Sequence, residues 1–276
     1  MFELEDTYWW FVARRELVRQ LLARFLPASR APNGGRAPVG GRARVGGRAP
    51  VGSPAPVGSP ALVGGRARVI LDVGCGTGAT LKTIEDMGAA VGMDRSREAL
   101  RYCRLRGLRR LLMATAEALP VASESVEALL ALDLLEHVAD DGAAVREFAR
   151  VLRPGGVLLV TVPACPALWS EHDEALDHLR RYRASRLRSI LAGADLRIER
   201  LSPVITSLLL PIAGLRLAQR MLPRKRGVAQ TAFIVPPRPI NWLLTALLRL
   251  ERRWLSRFDL PAGVSLMAVA RKPEER

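Results

Sequence analysis

Residues 69–78 read V-I-L-D-V-G-C-G-T-G, an apolar run rich in β-branched residues that breaks into a loop with glycine at 74, 76 and 78. The run predicts a buried strand, and the glycines predict a loop leading into a helix. This is how α/β folds build nucleotide sites. Glycine is needed because the loop requires backbone angles that a β-carbon blocks, and because a ligand must come within van der Waals reach of the main chain.

From residue 69 strand and helix patterns alternate. Strands are expected at 69–73, 89–93, 109–113, 127–132, 157–162, 195–201 and 264–270, with helices near 78–87, 96–106, 140–152 and 184–192. Alternation of this kind implies a mostly parallel sheet covered on both faces. Residues 204–260 interrupt it with two apolar, arginine-studded segments, 204–222 and 240–258. In the second, Ile240, Leu243, Leu244, Leu247, Trp254, Leu255 and Phe258 fall near one helical face, with Arg249, Arg252, Arg253 and Arg257 off it. That spacing predicts an amphipathic helix with a basic rim. Near the N-terminus Trp9, Trp10, Leu17, Leu21, Leu22 and Phe25 share a face of a helix over 8–26, which Pro27 ends.

Residues 34–69 repeat with period six: GGRAPV, GGRARV, GGRAPV, GSPAPV, GSPALV, GGRARV. The pattern meets the loose hexapeptide rule of left-handed β-helices, but six hexads make two coils, too few to bury a core. A disordered, arginine-bearing linker is the expected structure. The expected organisation is therefore a capping helix over 1–30, a linker over 31–66, a main domain over 67–203 and 261–272, and a helical insertion over 204–260.

The chain has 276 residues, a 49% apolar fraction and a formal net charge of +15, which allows one catalytic domain with additions and excludes global disorder. The charge suggests nucleic acid or an anionic membrane. However, only Lys82, Lys225 and Lys272 are lysines among 42 basic residues, a skew that fits GC-rich coding better than selection for phosphate binding. Cys75, Cys103 and Cys165 form no C-x-x-C pair and argue for a reducing compartment. The opening M-F-E-L-E-D shows no signal-peptide pattern, and no uncharged apolar run of about 18 residues is present. A cytoplasmic protein is expected.

Gly74, Gly76 and Ala79 also satisfy G-x-G-x-x-G/A, so the loop alone leaves a dinucleotide open. Asp94, twenty residues after Gly74, fits either ligand, since a carboxylate there accepts from ribose hydroxyls. The motifs A-E-A-L-P (116–120), L-D-L-L-E-H-V (132–138) and R-V-L-R-P-G-G (150–156) follow in order. With them the chain resembles class I S-adenosylmethionine-dependent methyltransferases over about residues 69–201. T-Y-W-W-F-V-A-R-R-E (7–16) and H-D-E-A-L-D-H-L-R-R-Y (172–182) are similar to a bacterial small-molecule subgroup with an N-terminal W-W-F…R-R helix. The resemblance implies a Rossmann-like, doubly wound, mostly parallel seven-stranded sheet with the helical insertion before its last strand. It implies S-adenosyl-L-methionine as cofactor. Asp72 would order the loop or the amino group, and Gly74, Cys75, Gly76 and Gly78 would pass beneath the cofactor. Asp94 would bind the ribose, Arg95 would pack beside the adenine, and Thr115 and Ala116 would edge it. Asp133 would face the methionine moiety or the substrate. Arg14 or Arg15, with Trp9 or Trp10, would close the pocket. Thr115 stands where many members carry an acidic residue.

Methyl transfer needs an aligned acceptor and, for a hydroxyl, a base. His137, His172 and His178 are the candidates, since the fold implied by the resemblance gathers all three at the carboxyl edge of the sheet. Asp133, Glu136 and His137 spell D-x-x-E-H, similar to the E-x-x-E-H that some ubiquinone-pathway and plant small-RNA O-methyltransferases use to hold magnesium. A fourth ligand would be His172 or His178. The motif without metal is the reading adopted, so no metal ligand is assigned. The insertion suggests a small-molecule, lipid-linked or amphiphilic acceptor at the inner face of a membrane, with peripheral contact through 204–260, or else a simple lid. The alternative is an RNA-associated methyltransferase or nucleic-acid binder tethered by the arginine linker, which no RNA-binding motif supports.

Overall fold

A computed structural model describes residues 2–26, 68–221 and 235–274. The expected linker lies outside the described residues, except for its junction with the first strand. Helix α1 spans Trp9–Phe25. It is followed by β1 (Val69–Val73), α2 (Ala79–Thr83), β2 (Ala89–Asp94), α3 (Arg97–Leu105), β3 (Leu111–Met113) and β4 (Val126–Leu132). After a 3-10 turn at Leu135–His137 come α4 (Asp141–Val151), β5 (Leu152–Pro163), α5 (Glu171–Ala175), α6 (Ala184–Ala192) and β6 (Arg197–Val204). The last elements are α7 (Leu209–Met221), α8 (Arg238–Leu255) and β7 (Ser265–Arg271).

The seven strands form one sheet in the order β3-β2-β1-β4-β5-β7-β6. β3, β2, β1, β4 and β5 are parallel, and β7 runs antiparallel between β5 and β6. The Rossmann-like, mostly parallel architecture is the expected one. β1 is buried at every position, as a central parallel strand covered on both faces must be. Successive residues alternate between the two layers. Val69, Leu71 and Val73 pack with Phe148, Val151 and Leu187, while Ile70 packs with Leu81, Leu100 and α1 residues Val18, Leu21 and Leu22. Asp72 has the parity of Ile70 and therefore faces the α1 side.

Several boundaries differ from the sequence reading. The R-P-G-G segment, which falls between the helix and strand expected from the sequence, lies within β5. Leu152 pairs with Val126, and the ladder then shifts so that Ala128 faces Val157. Gly155 takes φ +75 and donates its N–H to Lys272 O. It is an irregular strand entry of the bulge kind, fixed by partners distant in sequence. α2 stops at Thr83 rather than near 87, and β6 continues to Val204 because it pairs with β7 along that length.

The apolar face expected on α8 is in fact two stripes. Leu248 and Leu255 are buried with Thr245 and Glu251, against α1 and the end of β6. Ile240, Leu243, Leu250, Trp254 and Phe258 are exposed. Part of the basic rim turns towards α1, where Arg249 pairs with Glu16 at 2.5 Å and Arg252 donates to Gln20 at 2.7 Å. Buried Glu251 accepts from the N–H of Ile205 and of Ser207, which ties α8 to the end of β6.

The start of α2 carries the first test. Gly78 caps the helix at φ +83, and a β-carbon there would lie 2.4 Å from Leu108 Cδ1 and 2.9 Å from Cys103 Sγ. Gly78→Ala is expected to destabilise the protein by about 2 kcal/mol or more, from the left-handed backbone and the overpacking together. Urea unfolding measures this, and an unchanged midpoint would contradict the placement.

Candidate active site

The parallel strands deliver three loops to one edge of the sheet. The loop after β1 has positive φ at Gly74, Gly76 and Gly78. Gly74 and Cys75 donate their N–H groups to Met93 O at 2.8 and 3.0 Å, fastening the loop to β2. The Asp94 carboxylate accepts from Gly76 N at 2.9 Å and from Ser96 N at 2.8 Å. Its orientation is thus set by backbone on both sides, and its oxygens retain lone pairs for further donors. A β-carbon on Gly76 would meet nothing within 4 Å, so the loop has open space beside it. Cys75 turns inward, its Sγ 3.9 Å from that of Cys103. Arg95 and Thr115 are exposed beyond β2 and β3, and Ala116 is buried.

The N-terminal segment covers this loop from one side. Glu5 accepts from the Thr77 hydroxyl and pairs with Arg106 at 3.2 Å, while Arg106 also donates to Thr77 O at 3.0 Å. From α1, Arg14 reaches Asp133 at 2.5 Å, with its guanidinium 5.8 Å from the Trp10 ring and 5.5 Å from the Phe11 ring. Its Nε is buried without a partner. Arg15 instead donates to Glu5 O. Trp9 lies at the α1–α8 contact, where its backbone N–H donates to Asn241 at 2.9 Å. Asp133 follows β4 in a left-handed conformation, φ +52, and its other oxygen accepts from the Thr161 hydroxyl at 2.9 Å. Asp72 is 2% exposed. Burial raises its pKa to about 7, opposed by Arg14 and reinforced by Asp94 and Glu5.

The third group lies past β4 and β5. Tyr182 donates to Asp141 at 2.8 Å and lies 3.0 Å from Leu135 O, and Leu179 N–H donates to Glu136 O at 2.8 Å, so the two loops are bound together. The rings of His137 and His178 meet edge to face at 4.9 Å between centroids. His178 Nδ1 is 3.0 Å from Asp173, whose same oxygen accepts from Arg181 at 2.7 Å. Burial raises Asp173 in itself, but His178 and Arg181 outweigh that and hold its pKa below the usual carboxylate range. Burial lowers the pKa of His137, and the neighbouring His178 lowers it further. His172, on α5, is also lowered by burial and by Arg216 from α7. Glu136 is fully buried, and burial with Asp133 nearby raises its pKa well above the ordinary range. Both its oxygens lack partners.

Sequence reasoning did not single out Asp173, Thr161 or Arg216. Ser170 and Asp173 form a capping box at α5, a signal present in S-x-x-D. The partnership of Asp173 with Arg181 needed the fold.

Residues 71–160 match the family model described as a methyltransferase domain. A Mycolicibacterium smegmatis protein named "Probable S-adenosylmethionine-dependent methyltransferase" is 32% identical over 136 residues, covering 48% of this chain and 53% of that protein. A ubiquinone biosynthesis O-methyltransferase of Xanthomonas oryzae pv. oryzae is 30% identical over 156 residues, covering 49% of this chain and 65% of that protein. The chain thus spans less than two thirds of the length of these relatives. A Haloferax volcanii protein described as a methyltransferase, solved with an activator, aligns at TM-score 0.51 and 19% identity over 75% of this chain and 83% of that one. At that identity the likeness is one of fold.

Asp72 gives a prediction of definite sign. With its folded pKa raised from 3.8 to about 7, the ligand-free folded chain keeps a proton that the unfolded chain has lost between those values. The stability this gives is fully present below about pH 4 and is lost as pH rises through about 7. The unfolding free energy of wild type minus that of Asp72→Asn should therefore fall by about 2–4 kcal/mol between pH 4 and pH 8. Urea titrations at the two ends measure it, and a difference independent of pH would contradict the assignment.

Proposed function

We propose that this chain, whose residues 71–160 match a methyltransferase-domain model and whose relatives are S-adenosylmethionine-dependent methyltransferases, is a class I enzyme of that kind that methylates a hydroxyl of a small, amphiphilic acceptor at the cytoplasmic face of a membrane. The observation that carries the cofactor assignment is the Asp94 carboxylate, fixed by two backbone N–H groups beside a glycine loop with open space. S-adenosylmethionine, when bound, supplies an activated methyl group on a sulfonium.

The residues at the edge fit that molecule. Asp94 accepts from the ribose hydroxyls, and Gly74, Cys75, Gly76 and Gly78 present backbone beneath it. Arg95, Thr115 and Ala116 edge the adenine. Asp72 accepts from the amino group, whose positive charge favours the ionised carboxyl. The unpartnered Nε–H of Arg14 donates to the carboxylate end, and Trp10, stacked on Arg14, closes that side with Trp9 behind it. Asp133, held by Arg14 and Thr161, borders the acceptor. With the cofactor bound, these residues would hold the acceptor hydroxyl in line behind its methyl group, and the hydroxyl proton would pass to an imidazole. His137, kept neutral by burial, suits that role, with His178 oriented by Asp173 and His172 on the same side.

The expected domain division gives the acceptor its chemistry. The insertion over 204–260 leaves a stripe of exposed apolar side chains on α8, with Trp254 58% exposed, and further ones on α7, with Leu210 81% exposed. Arg253 and Arg257 are exposed near Trp254. An apolar stripe with cationic flanks suits an anionic lipid surface. No helix among the described residues is long and apolar enough to cross a membrane, so the contact proposed is peripheral.

Calorimetry with S-adenosylmethionine should give one site, weakened at least about tenfold in Asp94→Ala, or about 1.4 kcal/mol. Undiminished affinity in the variant, or no binding by the wild type, would remove the cofactor assignment. In flotation assays the full chain should rise with vesicles containing phosphatidylglycerol and not with neutral ones. The paired change Leu250→Glu and Trp254→Glu, both at exposed positions, should abolish flotation and leave cofactor affinity intact. A wild-type protein that stays at the bottom of the gradient refutes the membrane reading.

A further inference from the structure

We propose that Arg216, on α7 of the insertion, binds an oxyanion carried by the methyl acceptor, a phosphate or a carboxylate. The inference rests on the methyl-transfer reading and narrows its acceptor to an anion. The helix pattern sets this residue apart. Leu208, Ile212 and Arg216 are spaced by four and share one face. Leu208 is buried, and Ile212 packs against the core layer that contains Val18 and Leu22 of α1. Leu210 and Leu217 are exposed. An arginine thus stands in the inward row while leucines face outward, the reverse of what packing alone selects.

That row brings Arg216 towards α5. Its charge lowers the pKa of His172, and it is in turn attracted by Asp173 and repelled by Arg181. Asp173 has no capacity left for it. One Asp173 oxygen, Oδ1, accepts from Arg181 at 2.7 Å and lies 3.0 Å from His178 Nδ1. The other, Oδ2, accepts from Ser170 N at 2.9 Å and from Ser170 Oγ at 3.2 Å. Arg181 already balances the Asp173 charge, so Arg216 adds a second cation to this corner of the edge.

The guanidinium is incompletely satisfied. Nη1 donates to Gln219 Oε1 at 3.2 Å, three residues on, and Nε is buried without a partner. Burial holds the pKa of Arg216 below its ordinary value, with Asp173 opposing. A cation carried at that solvation cost is stabilised by a bound anion. With Nη1 on Gln219, the edge formed by Nε and Nη2 is the one whose parallel N–H bonds match a phosphate or carboxylate. α7 also carries exposed apolar residues of the proposed lipid contact, so one helix would meet both the bilayer and the charge of the acceptor.

The test uses the full chain and phenyl phosphate as probe, with phenol as its uncharged analogue. In calorimetry phenyl phosphate should bind at least about tenfold more tightly than phenol. Arg216→Gln should weaken phenyl phosphate about tenfold or more, and Arg216→Lys should restore part of the loss. Proton NMR of His172 across pH gives a signature that a merely structural arginine would not. Saturating phenyl phosphate should raise the titration midpoint of His172 in wild type, because the anion offsets the Arg216 charge, and should not do so in Arg216→Gln. The wild-type arm does not depend on any variant folding. Equal affinity in wild type and Arg216→Gln, or a His172 midpoint indifferent to phenyl phosphate, would overturn the proposal. So would loss of flotation with phosphatidylglycerol vesicles in Arg216→Gln together with undiminished phenyl phosphate binding, since the arginine would then meet lipid headgroups instead. Calorimetry with S-adenosylmethionine on the same wild-type sample separates the two readings. Cofactor binding without phenyl phosphate binding defeats this inference alone, whereas absence of cofactor binding defeats the methyl-transfer reading.

Discussion

The Asp94 carboxylate ties the ends of two strands together. Because β1 and β2 run parallel in register, with Asp72 opposite Gly92 and Val73 opposite Met93, both chains leave the sheet at the same edge. Asp94 then accepts an N–H from each departing loop. Together with the bonds from Gly74 and Cys75 to Met93 O, that fixes the glycine loop, whose Gly76 sits at φ +54. The remaining functional groups are positioned relative to that loop. Glu5 and Arg106 close on Thr77, α1 lies over β1, and the loops after β4 and β5 complete the edge.

Charge organises the rest of the edge. Asp72, Asp94, Asp133 and Glu136 converge there, and Arg14, brought from α1, forms an ion pair with Asp133. The consequence is a graded set of carboxyls. Asp133 is paired, Asp94 is held by backbone donors, Asp72 is lifted to about 7, and Glu136 is buried and unpartnered. A cationic ligand group near Asp72 would relieve a burial cost already built into the fold. The same edge is roofed by α1 and α8, joined through Glu16, Arg249, Gln20 and Arg252. The apolar stripe on α8 that does not face α1 remains exposed.

Local pattern was enough for much of this. The β-branched run before Gly74, the alternation after it and the spacing to Asp94 give the sheet and its loop, because buried parallel strands and tight loops leave short-range signatures. Where sequence reasoning fell short, the deciding partner was far away. Gly155 and Gly156 look like a turn until Lys272 and Val126 pair beside them. A helical wheel of α8 cannot say which apolar stripe meets α1, because that depends on Glu16 and the end of β6. Asp173 carried a capping signal, but its hold on His178 depends on Arg181 and the loop closure by Tyr182. The meeting of His137 and His178, 41 residues apart in sequence, follows from strand order rather than from any motif.

On the reading proposed here, the edge above Gly76 and Asp94 holds S-adenosylmethionine, with α1 as its cover. A crystal structure of the full chain with S-adenosylhomocysteine tests it most directly. The ribose hydroxyls should lie on the Asp94 carboxylate, the amino group beside Asp72 and the amino-acid carboxylate within reach of Arg14 Nε. A nucleoside bound at another edge of the sheet, or one at this edge that leaves Asp94 and Asp72 untouched, would contradict it.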